Sequence, residues 1–251
     1  MVSHHRRPLG KHAARHDPRT LSLAKYVKRG AELAPPASAN WSSKTNQKWP
    51  MYLNDQLGCC TCAGAAHHIE VWTAAGKGKE VEITDADVLK AYEAVGGYNP
   101  ADPSTDNGAN MLDVLKFWRK NGIGKHRIGA FVSVTLHDVL VQDAIAMFGG
   151  VYVGVDLPLS AQNQAVWDVV PGPKGKTGSW GGHAIAVVDY DARGLTCVTW
   201  GDLKRMTWPF FSRYADEAYA IVSPDFVSLK RKAPSGFDMA TLVADLRLLA
   251  A

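Results

Sequence analysis

Residues 54–68 read NDQLGCCTCAGAAHH, and the rest of the chain is organised around them. A polar turn that contains a glycine runs into an alanine-rich segment, which predicts a loop followed by a helix. Cys59, Cys60 and Cys62 then fall at the first turn of that helix. Because the N-terminus of a helix carries partial positive charge, it stabilises a thiolate. The stretch therefore predicts a nucleophilic cysteine at the start of a helix.

A second stretch, SWGGHAIAVVDY at residues 179–190, carries one histidine between two glycines and an apolar run. The run predicts a buried strand with His183 at its start. A cysteine at a helix start and a distant histidine at a strand start can form a thiolate–imidazolium pair when the fold brings them together. Such a pair is the leading functional hypothesis.

The composition is that of a globular protein with a sizeable core. The chain has 251 residues, of which 46% are hydrophobic and 21% charged. Its formal net charge is +4, and much of this excess lies in the first thirty residues. Since the remaining body is close to neutral, we expect no nucleic-acid partner.

The sequence also predicts the cellular compartment of the protein. No apolar run approaches the roughly 18 residues that a membrane span requires, so no membrane partner is expected. The N-terminal arginines are not followed by the apolar segment of a secretory signal. Three of the four cysteines lie within residues 59–62, a crowding that disfavours disulfides and fits a reducing compartment. We expect a cytoplasmic protein, with leaderless export left open.

The order of elements predicts an α+β protein. Helices are expected over residues 61–75, 88–95, 111–121 and 137–148, the second of them capped by Thr84. Strands are expected over residues 128–135, 151–155, 184–188, 195–200 and 218–222.

Three segments are predicted from this order. Residues 1–34 form a basic N-terminal arm with one short helix over 21–33, and the arm is either a flexible, surface-draped segment or an autoinhibitory or docking segment. Residues 35–230 form one domain, with a helical lobe over about 53–126 and an antiparallel sheet or barrel lobe over about 127–225. Residues 231–251 form a C-terminal helical tail.

Several motifs of the body resemble the papain family of cysteine peptidases. Residues 36–44, PASANWSSK, are similar to the opening of the mature family enzymes, and Gly58-Cys59-Cys60 stands where they have Gly-Ser-Cys. Residues 107–112 resemble the glycine-rich wall of their substrate groove, residues 182–190 their His-bearing strand, and residues 199–201 their Ser-Trp-Gly. Each motif alone is unspecific, but their order and spacing together are specific.

The resemblance implies a papain-like two-lobe fold, with the cysteine on the helical lobe and the histidine on the sheet lobe. It implies a cysteine peptidase or amidase that acts on a peptide or protein through a thioester, without metal or other cofactor. The substrate groove would then include Asn107, Gly108, Gly182 and Trp200. The alternative is a papain-fold binding or structural module that has lost turnover, with the basic arm as a possible contact for a protein partner.

The register of the resemblance decides the nucleophile. With Cys60 in this role, Gly58 and the pair Ile69-Glu70 coincide with the family pattern, and Asn54 takes the position of the glutamine that binds the oxyanion. With Cys62 in this role, Gln56 takes that position, but the other matches shift by two residues. We therefore favour Cys60 and keep Cys62 as the alternative nucleophile.

The third catalytic residue departs from the family pattern. The family has an asparagine before Ser-Trp-Gly that orients the histidine, and here that position is Val198, which offers no hydrogen-bonding side chain. Thr199 and Asp202 are the candidates to replace it.

A separate possibility is that Cys59 and Cys62, which form a C-x-x-C motif, serve redox chemistry or bind a metal with His67 or His68.

Overall fold

The computed structural model describes residues 7–27, 34–227 and 237–249. Its helices are α1 (Cys60–Lys77), α2 (Asp85–Gly96), α3 (Met111–Lys120), α4 (Asp138–Phe148), α5 (Trp208–Tyr214) and α6 (Met239–Leu248). Its strands are β1 (Ala39–Asn40), β2 (Ala130–Ser133), β3 (Val151–Leu157), β4 (Val166–Trp167), β5 (Gly181–Asp191), β6 (Gly194–Thr199), β7 (Asp202–Thr207) and β8 (Ala215–Val222).

The strands form one sheet in the order β2-β8-β3-β5-β6-β7-β4, and β1 pairs with β5. All pairings are antiparallel except the short β4–β7 pairing. Helices α1 to α3 precede most of this sheet in the chain, so the predicted α+β class is confirmed.

Helix α1 is the central helix of the molecule. Every residue from Cys60 to Ala74 is buried, as expected for a helix whose whole circumference is covered. Gly64 permits its close approach to the sheet, because a Cβ atom there would lie 3.2 Å from the Tyr152 ring and 3.6 Å from the Ala184 carbonyl oxygen. Gly78 ends the helix in the left-handed conformation, with φ of 68°.

The hydrophobic core has two large parts, one on each side of the contact between α1 and the sheet. The sheet-side cluster is built from β3, β5, β8, α4 and α5, with Phe148, Phe210 and Phe211 among its largest members. The helix-side cluster joins α1, α2 and α3, where Trp72 stacks on Trp118 with ring centroids 5.5 Å apart. Trp72 also donates its indole N–H to the Phe148 carbonyl at 2.8 Å, which links the two clusters.

The four helices and five strands predicted in the body are confirmed, with end points that differ by a few residues. Thr84 caps α2 through a reciprocal capping box with Asp87. Strands β4 and β7 and helix α5 were not predicted. The expected helix over 21–33 is wrong where it can be compared, because only Leu23–Lys25 form a short 3-10 turn, and residues 28–33 lie outside the described residues.

Candidate active site

Cys60 is the first residue of α1, and its side chain is buried against strand β5. Burial raises the pKa of its thiol, while the backbone N–H groups of Ala184 and Gly10, directed at the sulfur, oppose this rise. Ala184 follows His183 directly in β5. The predicted cysteine therefore lies beside the strand that carries the predicted histidine.

His183 is held on two sides. Its Nε2 atom lies 2.6 Å from Oγ1 of Thr199, and its ring stacks on the Trp200 indole with centroids 4.0 Å apart and planes 10° from parallel. Its Nδ1 atom is buried and has no hydrogen-bond partner among the residues that the structure describes. Burial lowers the pKa of His183 to about 3, and the positive charges of Lys11 and Arg7 act in the same direction.

The strand register explains why Thr199 contacts His183 and Val198 does not. Val198 lies opposite Ala186 in the β5–β6 pairing, and its buried side chain joins a small cluster with Val71, Ala186 and Val188. Successive residues of a strand face opposite sides, so Thr199 faces the side of His183. Asp202, the other candidate to orient the histidine, is exposed, and its carboxylate accepts from the Leu203 N–H at 2.7 Å.

Cys62, the alternative nucleophile, and Gln56, its predicted oxyanion-binding partner, lack such an arrangement. Cys62 is buried two residues into the helix, where burial raises the pKa of its thiol to about 12. Gln56 is exposed. Asn54 is buried in the loop before Cys60, and its Nδ2 atom donates to the Leu57 carbonyl at 3.1 Å.

The predicted groove is occupied by the chain's own N-terminal arm. The Lys11 N–H donates to the Gly182 carbonyl at 3.1 Å, the Ala109 N–H to the Gly10 carbonyl at 2.7 Å and the His12 N–H to the Ala109 carbonyl at 3.0 Å. Nε2 of His12 lies 2.8 Å from the Asn107 carbonyl oxygen. Gly182 and Ala109 are thus opposite walls of a groove in which residues 10–12 lie extended.

Glycines make this close approach possible. A Cβ atom on Gly10 would lie 1.7 Å from the Gly58 carbonyl oxygen, and one on Gly182 would lie 2.3 Å from the Lys11 carbonyl oxygen. Both distances are shorter than any contact that a side chain tolerates. The arm therefore fits the groove only because these two positions lack side chains.

Cationic side chains fix the arm to the body. The Arg7 guanidinium lies 5.4 Å from the Trp200 ring centroid, and the Lys11 ammonium lies 2.6 Å from Oδ2 of Asp216. Further along the arm, Arg15 pairs with Asp113, and Lys25 pairs with Asp245 at 2.7 Å. The arm is thus docked on the body across its described length.

A partly buried hydrogen-bond network that the sequence did not reveal connects the cysteine loop with the groove wall. Asp106 accepts the Gly58 N–H at 3.0 Å and the Tyr92 hydroxyl at 2.5 Å. The Tyr92 hydroxyl in turn accepts the Gly108 N–H at 2.8 Å. Gly108 is one of the predicted groove residues, and the network fixes it relative to the loop that carries Cys60.

The cysteines are free thiols in this structure. Cys59, Cys60, Cys62 and Cys197 are all buried and unpaired with one another. Within residues 7–27, 34–227 and 237–249, no three His, Cys, Asp or Glu side chains form a group able to hold a metal ion. In the same ranges, no helix combines the length and apolar character that spanning a bilayer requires.

Solved structures share this architecture at low sequence identity. Xylellain, a cysteine protease from Xylella fastidiosa, matches 88% of this chain and 98% of its own with a TM-score of 0.66 and 16% identity. Procathepsin B S9 from Trypanosoma congolense matches 86% of this chain and 87% of its own with a TM-score of 0.59 and 12% identity. Digestive procathepsin L 3 from the larval midgut of Tenebrio molitor matches 88% and 77% with a TM-score of 0.58 and 11% identity.

No protein-family model matches the sequence, and neither does any curated protein. The structural similarity therefore shows the fold. The chain has the two-lobe α+β fold of papain-like cysteine proteases, and the fold predicted from the motifs is confirmed.

Proposed function

We propose that this chain is a papain-like cysteine peptidase or amidase that acts on a peptide or protein substrate. This proposal rests on the surroundings of the Cys60 thiol. The Cys60 sulfur lies at a helix start beside β5, the strand that carries His183. Nε2 of His183 lies 2.6 Å from Thr199 Oγ1, and its Nδ1 has no partner among the described residues. This is the arrangement that a nucleophile and its general base need.

The roles follow from the atoms available. With the Nε2–H of His183 donated to Thr199 Oγ1, the Nδ1 lone pair is free to accept the Cys60 proton. The thiolate then attacks the substrate carbonyl carbon and forms a tetrahedral intermediate. This collapses to a thioester, and His183 gives its proton to the leaving amine. Water, deprotonated by His183, releases the acid and restores the thiol.

The oxyanion of each intermediate needs donors near the sulfur. The backbone N–H of Cys60 is one candidate, since the first N–H groups of a helix have no partner within it. The amide of Asn54 is the other: its Nδ2 atom carries two hydrogens, and the structure engages one of them with the Leu57 carbonyl. Trp200, stacked on the imidazole, would keep water from the pair.

The arm inhibits this reaction in the arrangement described. Gly10 directs its N–H at the sulfur, while its carbonyl accepts from Ala109 on the groove wall. Both polar groups of Gly10 are therefore engaged with the site and the groove wall. With the arm bound, burial also keeps Cys60 a thiol and His183 a neutral imidazole. Withdrawal of the arm is the step that makes the pair available to a substrate.

The test measures reaction of the full chain with a limiting amount of an alkylating reagent at mildly acidic pH, followed by peptide mapping. The chain carries Gly10→Ala to displace the arm, because the added methyl group would overlap the Gly58 carbonyl. We expect labelling at Cys60 and thiol-dependent hydrolysis of a fluorogenic peptide. Cys60→Ala should abolish both, and Cys62→Ala is the matched control that should keep them.

His183→Ala should slow the alkylation of Cys60 and change its pH profile, because the base is gone. If labelling is slow, spread over several cysteines and indifferent to His183 even when the arm is displaced, the peptidase proposal fails. The alternative, a binding or structural module without turnover, would then hold. It is supported by the burial of both Cys60 and His183.

A further inference from the structure

Lys11 is a buried lysine in the middle of the arm. Its side chain is 0% exposed, although lysine is almost never fully buried unless it is paired. Its Nζ atom donates to Oδ2 of Asp216 at 2.6 Å and to the His12 carbonyl at 3.0 Å. Oε1 of Glu217 lies 3.7 Å away. The ammonium thus lies between two carboxylates at the start of β8.

The space for the lysine stem is provided by a glycine. A Cβ atom on Gly154 of β3 would lie 2.7 Å from Lys11 Cε, 2.7 Å from Asp216 Oδ1 and 2.8 Å from Glu217 Cγ. Any side chain at Gly154 would therefore occupy the volume that the lysine stem fills. We call the space bounded by Gly154, Asp216 and Glu217 the Lys11 pocket.

The Lys11 pocket has more acceptor capacity than the lysine uses. Oδ1 of Asp216 and Oε1 of Glu217 are buried and make no hydrogen bond with any described residue, whereas Oε2 of Glu217 accepts the Tyr219 hydroxyl at 2.8 Å. Two unsatisfied carboxylate oxygens, turned to the same space, fit the several N–H donors of a guanidinium as well as an ammonium. Unpaired buried acceptors of this kind point to a ligand that donates to them.

The charges in the Lys11 pocket also favour a positively charged occupant. Burial raises the pKa of Glu217, and the positive charge of Lys11 opposes that rise. Burial and the charge of Asp216 raise the pKa of the nearby Asp156, and Lys11 again opposes them. Once the arm leaves, these carboxyl groups lose the cation that offsets their mutual repulsion and the cost of their burial.

The Lys11 pocket adjoins the reacting thiol. Lys11 follows Gly10, whose N–H is directed at the Cys60 sulfur, and the Lys11 N–H is bonded to Gly182, next to His183. A side chain that fills the Lys11 pocket therefore belongs to a residue close to the bond that Cys60 would attack.

We propose that the Lys11 pocket selects substrates, binding the lysine or arginine side chain of a peptide within about two residues of the scissile bond. This inference rests on the proposed peptidase function, and it makes the arm an occupant that imitates the substrate's side chain. A substrate would be aligned in the groove differently from the arm, because it must place the carbonyl carbon of its scissile bond at the Cys60 sulfur.

The first test measures binding, which does not depend on turnover. The full chain carries Gly10→Ala to displace the arm and Cys60→Ser to prevent reaction. The probe is a fluorescent peptide of residues 7–14, RPLGKHAA, with lysine, norleucine or glutamate at the position of Lys11. We expect the lysine peptide to bind at least about tenfold more tightly than the norleucine peptide, as for hydrogen bonds to charged groups, and the glutamate peptide to bind weakest.

Asp216→Asn with Glu217→Gln should remove the preference for lysine over norleucine, while the exposed Glu82→Gln is the matched control that should keep it. A second series avoids Gly10→Ala. In the otherwise unchanged chain, Lys11→Arg should leave the alkylation rate of Cys60 low, Lys11→Met should raise it and Lys11→Glu should raise it most. Equal binding of lysine and norleucine, or a preference that survives the double substitution, overturns the proposal.

The second test maps cleavage sites in a peptide mixture treated with the Gly10→Ala chain. Lysine or arginine enriched next to the cleaved bonds supports the pocket. Cleavage without such enrichment overturns the pocket and leaves the peptidase function standing. Lysine-selective binding without any cleavage supports the pocket and counts instead against the peptidase function.

Discussion

Oγ1 of Thr199 lies 2.6 Å from Nε2 of His183, while the neighbouring Val198 points into a separate apolar cluster on the other face of the sheet. A hydroxyl thus takes the contact that a side-chain amide provides in the family that the motifs resemble. It fixes one side of the ring and, with the hydroxyl as acceptor, biases the proton toward Nε2. The contact is made by Thr199, one residue after Val198, which is the position of the asparagine in the family motif.

Thr199→Val is expected to lower kcat/KM by between about tenfold and 10⁴-fold, the upper figure being the cost of losing the orienting group in a Ser-His-Asp triad. Valine preserves the shape and removes the hydroxyl, so Cys60 alkylation should also slow while the fold is kept. Hydrolysis of a fluorogenic peptide measures the change in an arm-displaced chain. Thr196→Val on the same strand is the control, and equal activity in both variants would exclude an orienting role for Thr199.

The elements that carry the pair could be predicted because each has a strong local pattern. The start of α1 follows a polar turn, and β5 is a long apolar run, so Cys60 and His183 were both found in the sequence. The choice between Val198 and Thr199 depends on which face of β6 meets His183. That is decided by the Ala186–Val198 register, which no local pattern contains.

Other features were beyond prediction for different reasons. Strand β7, DLKRMT, carries three charged side chains, and α5, WPFFSRY, is short and has proline in its first turn. The contact between Lys11 and Asp216 joins residues 205 positions apart. Acidic side chains of the body, Asp113, Asp216 and Asp245, pair with cations of the arm, and no local pattern in the sequence matches these partners to one another.

Gly10→Ala is expected to open the groove. The new Cβ would lie 1.7 Å from the Gly58 carbonyl oxygen. The arm cannot move away without breaking the bonds of Gly10 to Ala109 and of Lys11 to Gly182, and the Gly58 N–H is bonded to Asp106. Alkylation of Cys60 in the full-length chain should therefore accelerate at least about tenfold, in line with the loss of one or two hydrogen bonds. The exposed Ala14→Ser serves as the control within the arm. An unchanged rate for Gly10→Ala would show that the arm does not restrict access to the thiol.

Acid is expected to destabilise the native state through His68. The ring is buried in α1 against Trp72, both its nitrogens lack hydrogen-bond partners among the described residues, and burial lowers its pKa from 6.5 to about 3. Between these values the unfolded chain binds more protons than the folded one. The free energy of unfolding therefore falls as the pH falls from about 6.5 toward 3.

His68→Leu should flatten this dependence, which urea unfolding at a series of pH values measures. Burial raises the pKa of Glu217 and Asp189 and acts in the opposite direction, but it does so in the parent and the variant alike. The exposed His137→Gln is the control. A slope that is equally steep in the parent and in His68→Leu would assign the acid sensitivity to other groups, with His183 the next to substitute.

The C-terminal helix is expected to contribute to closure of the groove from a distance. Asp245 on α6 accepts the Tyr26 hydroxyl at 2.6 Å and pairs with Lys25 at 2.7 Å, and the Asp238 N–H donates to the Tyr26 carbonyl at 2.8 Å. These contacts hold the end of the arm opposite to Gly10. Asp245→Ala should therefore increase hydrogen exchange over residues 11–27 and raise the alkylation rate of Cys60 by less than Gly10→Ala does. Tyr26→Phe, which removes one hydroxyl and keeps the packing against Phe237, should have a smaller effect of the same sign. If the arm exchanges faster in Asp245→Ala but the alkylation rate of Cys60 stays that of the parent, the groove segment is held by its own contacts alone and α6 has no part in closing the site.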